Sequence, residues 1–467
     1  MLGGPFVCLG EDEVERARAL VHEMTSSHAS LIRFAEDFRS LNTRLQGAAK
    51  GFCVDEFYAD LPPSLAGLVE IAYDLNNHPE IRLHEEILYA GGLDNSSAEE
   101  VCLRSVRDTD RAFFMSTPVL EGPDRLFLKT RFEDPVIDTL AALRTTPGRF
   151  GDIEALLRER GCDASGLGSF VTESPPERRS PQYHGEGIRI RYFGHACVLL
   201  QSSRTSILID PLTAWERDDD QALLTFDDLP DYIDFVVISH SHQDHFAPET
   251  LIQLRRRVGR VLVPRNNPGS LADPAMKLIL RRFGYTNVTV MDSLDRIEVP
   301  GGEIMALPFA GEHCGLAISS KLCALVRLGG RSLVFLVDSD GMDPLMYRRI
   351  SHCFGDIDVL FLGMECHGAP LTWLYGPLLG KPISRREDES RRLNGTDCTR
   401  AWNLIQEFRP RRVFVYAMGQ ESWLKSIMGL EYGSDSIQIL ESNKLLALCH
   451  EVDLPAARLK GCQEVLV

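Results

Sequence analysis

The most informative stretch of this sequence is Phe235-Val236-Val237-Ile238-Ser239-His240-Ser241-His242-Gln243-Asp244-His245. An apolar run suited to a buried strand leads straight into H-x-H-x-D-H. Imidazole and carboxylate are the side chains that hold borderline divalent metals. Alternation in an extended segment puts His240 and His242 on one side, where they grip one ion together. Asp244 and His245 follow as the chain turns and face a second ion. The competing reading, a polar turn after a strand, does not explain why four ligating residues fall at metal-binding spacing in a chain with 13 histidines.

A layered scaffold is needed to hold such a cluster. Short β-rich runs arrive in series at Ile188 to Phe193, Val198 to Gln201, Ser206 to Ile209, Phe235 to Ile238, Val261 to Val263, Val288 to Met291, Ser332 to Val337, Val359 to Gly363 and Val413 to Tyr416. Helical stretches separate some of them, at Pro248 to Arg257, Ala275 to Phe283 and Thr396 to Glu407. Strands alternating with helices predict an α/β fold. Ahead of them, Ser174-Pro175-Pro176-Glu177-Arg178-Arg179-Ser180-Pro181 is polar and proline-rich. It reads as a linker over 174–187, between an N-terminal domain (1–173) and a metal domain (188–467). Within the first, Val14, Ala17, Val21, Met24, Leu31, Phe34 and Phe38 carry a helical period across 11–45, which predicts a core-facing or dimer-facing helix. Leu126-Phe127-Leu128 reads as a strand and Asp134 to Arg144 as a helix.

The H-x-H-x-D-H motif, the Gly194-His195-Ala196-Cys197 turn and the Ile207-Leu208-Ile209-Asp210-Pro211 strand together resemble the metallo-β-lactamase superfamily, over about residues 188–450. The resemblance implies an αββα sandwich, here preceded by a mixed α+β domain. It makes Asp210 a carboxylate that orients a ligand histidine. It also puts Glu312-His313, Asp338 and Glu365-Cys366-His367 where the superfamily takes its third ligand, its bridging aspartate and its last histidine. The bland alternatives are a cap for Asp338, a satisfied buried histidine for His367 and a surface glutamate for Glu365. His195 reads as structural. His22, His28, His78, His84, His184, His352 and His450 fall outside the constellation.

Glu312 and His313 are neighbours, and in an extended segment only one faces the metals. A histidine suits zinc and hydrolysis of an ester, lactone, thioester or phosphodiester. A glutamate makes the site harder and more anionic, which suits iron. The order and spacing of these residues resemble the diiron β-hydroxylases of the superfamily, known from chloramphenicol biosynthesis. Those enzymes hydroxylate amino acids tethered to carrier domains of nonribosomal peptide synthetases. That resemblance implies iron held by His240, His242 and Glu312, a second iron held by Asp244, His245 and His367, and Asp338 as bridge. Glu365 is expected nearby, hydrogen-bonded to ligands or controlling substrate. It implies O₂ as cosubstrate, an external reductant and electron donor, and a carrier domain as partner. Two zinc ions are the alternative cofactor.

The chain has 467 residues, 50 basic and 67 acidic, for a net charge of −17. That balance argues against broad nucleic-acid binding. The longest weakly charged stretch, Val359 to Gly380, holds Glu365, His367, Pro370 and Pro377 and makes a poor membrane span. The stretch from Met1 to Val7 lacks a secretory signal's basic start, and the cysteines are scattered without a C-x-x-C pair. The expectation is a cytoplasmic homodimer. Leu371 to Pro377 is a candidate substrate entrance. Arg385, Arg386, Arg391 and Arg392 are candidates for meeting an acidic carrier and its phosphate. Arg255, Arg256, Arg257 and Arg260 read as a solvated helix face.

Overall fold

The structure, a computed structural model, describes residues 10–92, 96–104, 119–122, 124–215, 222–429 and 431–467. The stretch from Met1 to Val7 lies outside the described residues. Two seven-stranded sheets stack face to face. The first runs, edge to edge, Val288–Met291, Val258–Pro264, Ile233–Val237, Ser206–Ile209, Cys197–Gln201, Arg189–Gly194 and Gln463–Leu466. The second runs Arg296–Val299, Gly302–Leu307, Cys323–Leu328, Arg331–Phe335, Val359–Gly363, Arg412–Tyr416 and Ala456–Arg458. Residues such as Ile190, Val198, Ile207 and Val237 from one sheet meet Ile304, Leu325, Phe335 and Leu360 from the other in one buried core. This is the αββα sandwich expected from the sequence.

In each sheet the strands nearest the site run parallel. Ile233–Val237 pairs with Ser206–Ile209 and Val258–Pro264, and Val359–Gly363 pairs with Arg331–Phe335 and Arg412–Tyr416. Buried on both faces, these strands read as continuous apolar runs rather than alternating ones. Helices supply the crossovers. Pro344–Phe354 starts with Asp343 capping Leu345 N–H and proline in the first turn, and Cys398–Phe408 starts with Asp397 capping Arg400 N–H;. Parallel strands point their carboxyl ends the same way, so the loops after Ile209, Val237, Phe335 and Gly363 converge at one edge.

Every strand expected after residue 188 is present. The sequence reading missed Arg296–Val299, Gly302–Leu307 and Cys323–Leu328, three of the seven strands of the second sheet, and the C-terminal strands Ala456–Arg458 and Gln463–Leu466. Gly302-Glu303-Ile304-Met305-Ala306-Leu307 contains three residues of weak β preference, and its burial between neighbours decides its state;.

The proline-rich segment does not divide the packing. Leu126, Leu128, Val136, Ile137, Ile153 and Leu157 share a core with Phe193, Leu199, Leu208 and Leu251 of the first sheet and its helix. Within the described N-terminal residues, 34–83 form a separate core around Leu41, Leu45, Phe57 and Leu65. Arg255, expected on a solvated face, is instead a buried rivet. Its guanidinium bonds Asp138 at 2.6 Å, the Asp134 carbonyl at 2.6 Å, the Phe283 carbonyl at 2.9 Å and the Phe132 carbonyl. Arg257 similarly donates to the Leu229 and Pro230 carbonyls. The Arg fork has the right geometry for such multiple acceptors, and its stem packs as an apolar chain.

The 11–45 period resolves into two helices, Glu11–Ser27 and Ala29–Ala48, broken at His28. The Thr25 and Ser26 hydroxyls bond back to the Val21 and His22 carbonyls just before the break, competing with the helical ladder;. Among the described residues no helix is long and apolar enough to cross a membrane, and each cysteine is free.

Candidate metal centre

The H-x-H-x-D-H loop is pinned from below by Asp210, at the end of Ser206–Ile209. Asp210 accepts from the Ser239 amide (2.7 Å), the Ser239 hydroxyl (2.6 Å) and His245 Nδ1 (2.9 Å). It is fully buried and has positive φ, a strained geometry tolerated here because three donors fix it;. The imidazole that Asp210 orients is therefore His245, whose Nε2 is turned into the cluster. There Nε2 lies 2.9 Å from Asp338 Oδ2 and 3.6 Å from Asp244 Oδ2.

His240 and His242 do lie on one side, with Nε2 of the first 3.2 Å from Nδ1 of the second. His242 Nδ1 is 2.7 Å from Glu312 Oε1, and His240 Nε2 is 3.7 Å from Asp338 Oδ2. Three overlapping trios result: His240, His242 and Glu312; His240, His245 and Asp338; and His195, Asp244 and His245.

The Glu312–His313 pair does not sit in an extended segment. Glu312 and Cys314 both have positive φ, and the chain folds back on itself. Both side chains reach the cluster, in different ways. Glu312 faces His240 and His242. His313 stacks on the His242 ring with centroids 4.5 Å apart and sets Nδ1 2.6 Å from Glu312 Oε2.

Glu365 and His367 also depart from strand alternation. The strand ends at Gly363, Cys366 adopts φ +58°, and the His367 amide bonds the Glu365 carbonyl at 2.6 Å in a tight turn. That turn sends the two side chains apart. His367 is exposed, and burial and then Arg392 lower its pKa. Neither it nor Glu365 joins a ligand trio among the described residues, and the two differ in where they face. The place expected for His367 at the second ion is thus not supported by the geometry. Glu365 points inward instead. Burial, then Asp338, Glu312 and Asp244, push its carboxyl well above the usual range. Gly368 leaves room for it, since a Cβ there would fall 2.6 Å from Glu365 Oε1.

His195, read as structural, touches the cluster. Its Nδ1 accepts from the Gly419 amide (3.2 Å), so its Nε2–H donates to Asp244 Oδ2 at 3.0 Å. The sequence signal was only a histidine in the first turn of the sandwich, because its partner lies 49 residues away. Tyr375 was within the suggested entrance. It is buried and its hydroxyl meets His242 Nε2 at 3.2 Å.

The residues fit a pair of metal ions. Asp338 Oδ1 is buried without a hydrogen-bond partner, and His245 Nε2 and Glu312 Oε2 are buried with only close charged neighbours and no well-aligned hydrogen bond, a costly arrangement unless cations satisfy them;. The charges already lean on one another. Burial disfavours charge on Asp244, but His245 and His195 outweigh it and hold its pKa far below the usual range. Burial also acts against Glu312, yet His242 and His313 bring it down to about 2. Burial lowers His240, and the neighbouring imidazoles lower it further.

Residues 1–175 match the diiron non-heme beta-hydroxylase N-terminal domain, and residues 189–365 match a beta-lactamase superfamily domain. The chain is 36% identical over 452 residues to the 4-amino-L-phenylalanyl-CmlP-peptidyl-carrier-protein 3-hydroxylase of Streptomyces venezuelae, covering 96% of this chain and 85% of the relative. The chain belongs to the diiron non-heme β-hydroxylase family. Its fold matches the crystal structure of CmlA, a diiron β-hydroxylase from the same organism, with a TM-score of 0.86 and 35% identity over 97% of this chain and 86% of that one. Family membership decides between the two chemistries left open by the sequence: the protein is a hydroxylase, and its cofactor is an iron pair rather than hydrolytic zinc. The N-terminal region, which carried no motif, is the part specific to this family.

Proposed function

We propose that the protein hydroxylates the β-carbon of an amino acid held as a thioester on the carrier domain of a nonribosomal peptide synthetase. We further propose that His240, His242 and Glu312 hold one iron, Asp244, His245 and Glu365 hold the other, and Asp338 lies between them. The observation that carries this reading is the share of carboxylate in the site. Glu312, Asp338 and Asp244 lie against three imidazoles, Glu365 is near enough to feel their charge, and oxygen-rich sets favour hard, oxidised metal ions;. The relative's action on a peptidyl-carrier-protein substrate supports the carrier as partner.

When bound, the iron pair supplies O₂ activation: substrate C–H, O₂, two electrons and two protons become C–OH and water. The electrons come from an external donor. The chain's own residues do the rest. Asp210, Ser239 and His195 orient the ligands, and the buried walls around His240 and His245 exclude water;. A cytoplasmic location and a homodimer are part of the same proposal; the exposed Val21 and Met24 on the first helix support an apolar contact there.

The docking role suggested for the arginines after Lys381 narrows. Arg391 Nε is spent on the Cys314 carbonyl (3.0 Å) and Arg392 Nε on the Gly368 carbonyl (2.6 Å). Arg385 pairs only with Glu389 on the surface, and an exposed pair of this kind is cheaply broken;.

The reaction is tested by incubating the reduced iron-loaded protein and O₂ with aminoacyl carrier domains and with free amino acids. The expected result is a gain of one oxygen atom on a carrier-bound amino acid and none on the free ones. Oxidation of free amino acids at an equal rate contradicts the carrier requirement.

A further inference from the structure

The three imidazoles of the cluster are steadied through their second nitrogen by different parts of the molecule. His245 Nδ1 donates to Asp210 and His240 Nδ1 meets Ser239 Oγ at 2.9 Å; both partners belong to the sandwich. His242 is the reverse case. Its Nδ1 faces Glu312 and His240, so its Nε2–H points away, and the group that receives it is Tyr375 Oη;.

Tyr375 does not belong to the sandwich. It ends the short helix Leu371–Tyr375, part of an excursion over 369–393 that rises from the sheet edge. The excursion has a small apolar core of its own, in which Leu371, Tyr375 and Leu393 pack on Cys314, two residues after Glu312. It is closed by Thr372 on Asp388 (2.8 and 2.7 Å) and tied down by Arg391 on the Cys314 carbonyl. Its outer side rests on the N-terminal helix Ala29–Ala48. Arg39 donates to the Pro377 carbonyl at 3.3 Å, and a Cβ at Gly380 would fall 2.7 Å from Asn42 Nδ2.

We infer that Tyr375 is a positioning residue for His242, and that through the 369–393 excursion the N-terminal helix sets how firmly that histidine holds its metal. This rests on the reading of His242 as an iron ligand. An outer partner of a ligating histidine fixes its ring and tautomer, and its loss typically weakens binding by about 10–100-fold. The coupling follows from contact alone: displace the helix from the excursion and the tyrosine moves with it.

The test is release of iron from the fully loaded protein to an excess of a coloured ferrous chelator. Tyr375→Phe removes only the hydroxyl and is expected to load fully, keep the unfolding midpoint of the metal-free protein, and release iron about 10-fold faster. Gly380→Leu, which wedges Asn42 and the excursion apart, is expected to speed release as well, and to add nothing in a Tyr375→Phe background. Release from Tyr375→Phe at the wild-type rate overturns the positioning role. A Gly380→Leu effect that is absent, or that multiplies with Tyr375→Phe, overturns the coupling. His242→Ala separates the two levels. If it holds as much iron as the wild type, the ligand reading fails; if it loses iron while Tyr375→Phe releases iron at the wild-type rate, only this inference fails.

Discussion

Glu365→Ala is expected to leave the protein with one iron per chain and no measurable hydroxylation, whereas His367→Ala keeps both irons and nearly full activity. The geometry gives the reason. Glu365 is held well above the usual carboxylate range by burial and then by the charges of Asp338, Glu312 and Asp244, a cost that bound cations would offset;. His367 faces solvent after the turn at Cys366. The loss on removing a direct ligand should exceed the ~10–100-fold seen for an outer partner. A second readout has the opposite sign. The Glu365 pKa is raised in the folded metal-free protein. Its charge therefore costs stability that appears as pH rises above the unfolded-state value and is absent in more acidic solution. Metal-free Glu365→Ala should accordingly unfold at a higher temperature than the metal-free wild type at neutral pH, with the gap closing as pH falls. Elemental analysis and calorimetry on the two variants check both effects. Normal iron in Glu365→Ala, with iron lost from His367→Ala, restores the histidine as ligand.

Glu312→Ala is expected to lose the iron held with His240 and His242, while His313→Ala binds both irons with weaker affinity. Glu312 Oε1 is 2.7 Å from His242 Nδ1, inside the ligand trio. His313 stands behind it, stacked on His242 and close to the other Glu312 oxygen. Removing a group that supports a ligand costs about 10–100-fold in affinity, but removing the ligand opens the site. The positive φ at Glu312 is what turns its carboxylate onto His242, a strained conformation that persists because its surroundings hold it;. Iron content and chelator competition on the purified variants distinguish the two roles. Equal losses from both contradict the assignment.

These residues also mark what the sequence could carry. H-x-H-x-D-H was legible because its ligands are contiguous and follow an apolar strand. Asp210 and Asp338 came from the resemblance to the superfamily, which places a carboxylate just after each of two such strands. The expectations that the geometry does not follow are those that rested on strand alternation. A left-handed residue at Glu312 lets both it and His313 reach the cluster, one at Cys366 sends Glu365 and His367 apart, and no single-sequence signal marks a non-glycine residue for that conformation;. His195 and Tyr375 were out of reach because their partners, Asp244 and His242, are joined to them only by the fold. Arg255 failed for the same reason: an arginine run looks solvated until Asp134, Asp138 and Phe283 are seen to surround one member of it.

The central claim, an iron pair that places an oxygen atom from O₂ on a carrier-bound amino acid, meets its most direct test in one experiment. The protein is purified without added metal, its iron and zinc are measured, and it is then reduced and exposed to isotopically labelled O₂ with an aminoacyl carrier domain. Two irons per chain, with the label in the hydroxylated amino acid, is the result predicted. Two zincs, or a product whose oxygen comes from water, contradicts it.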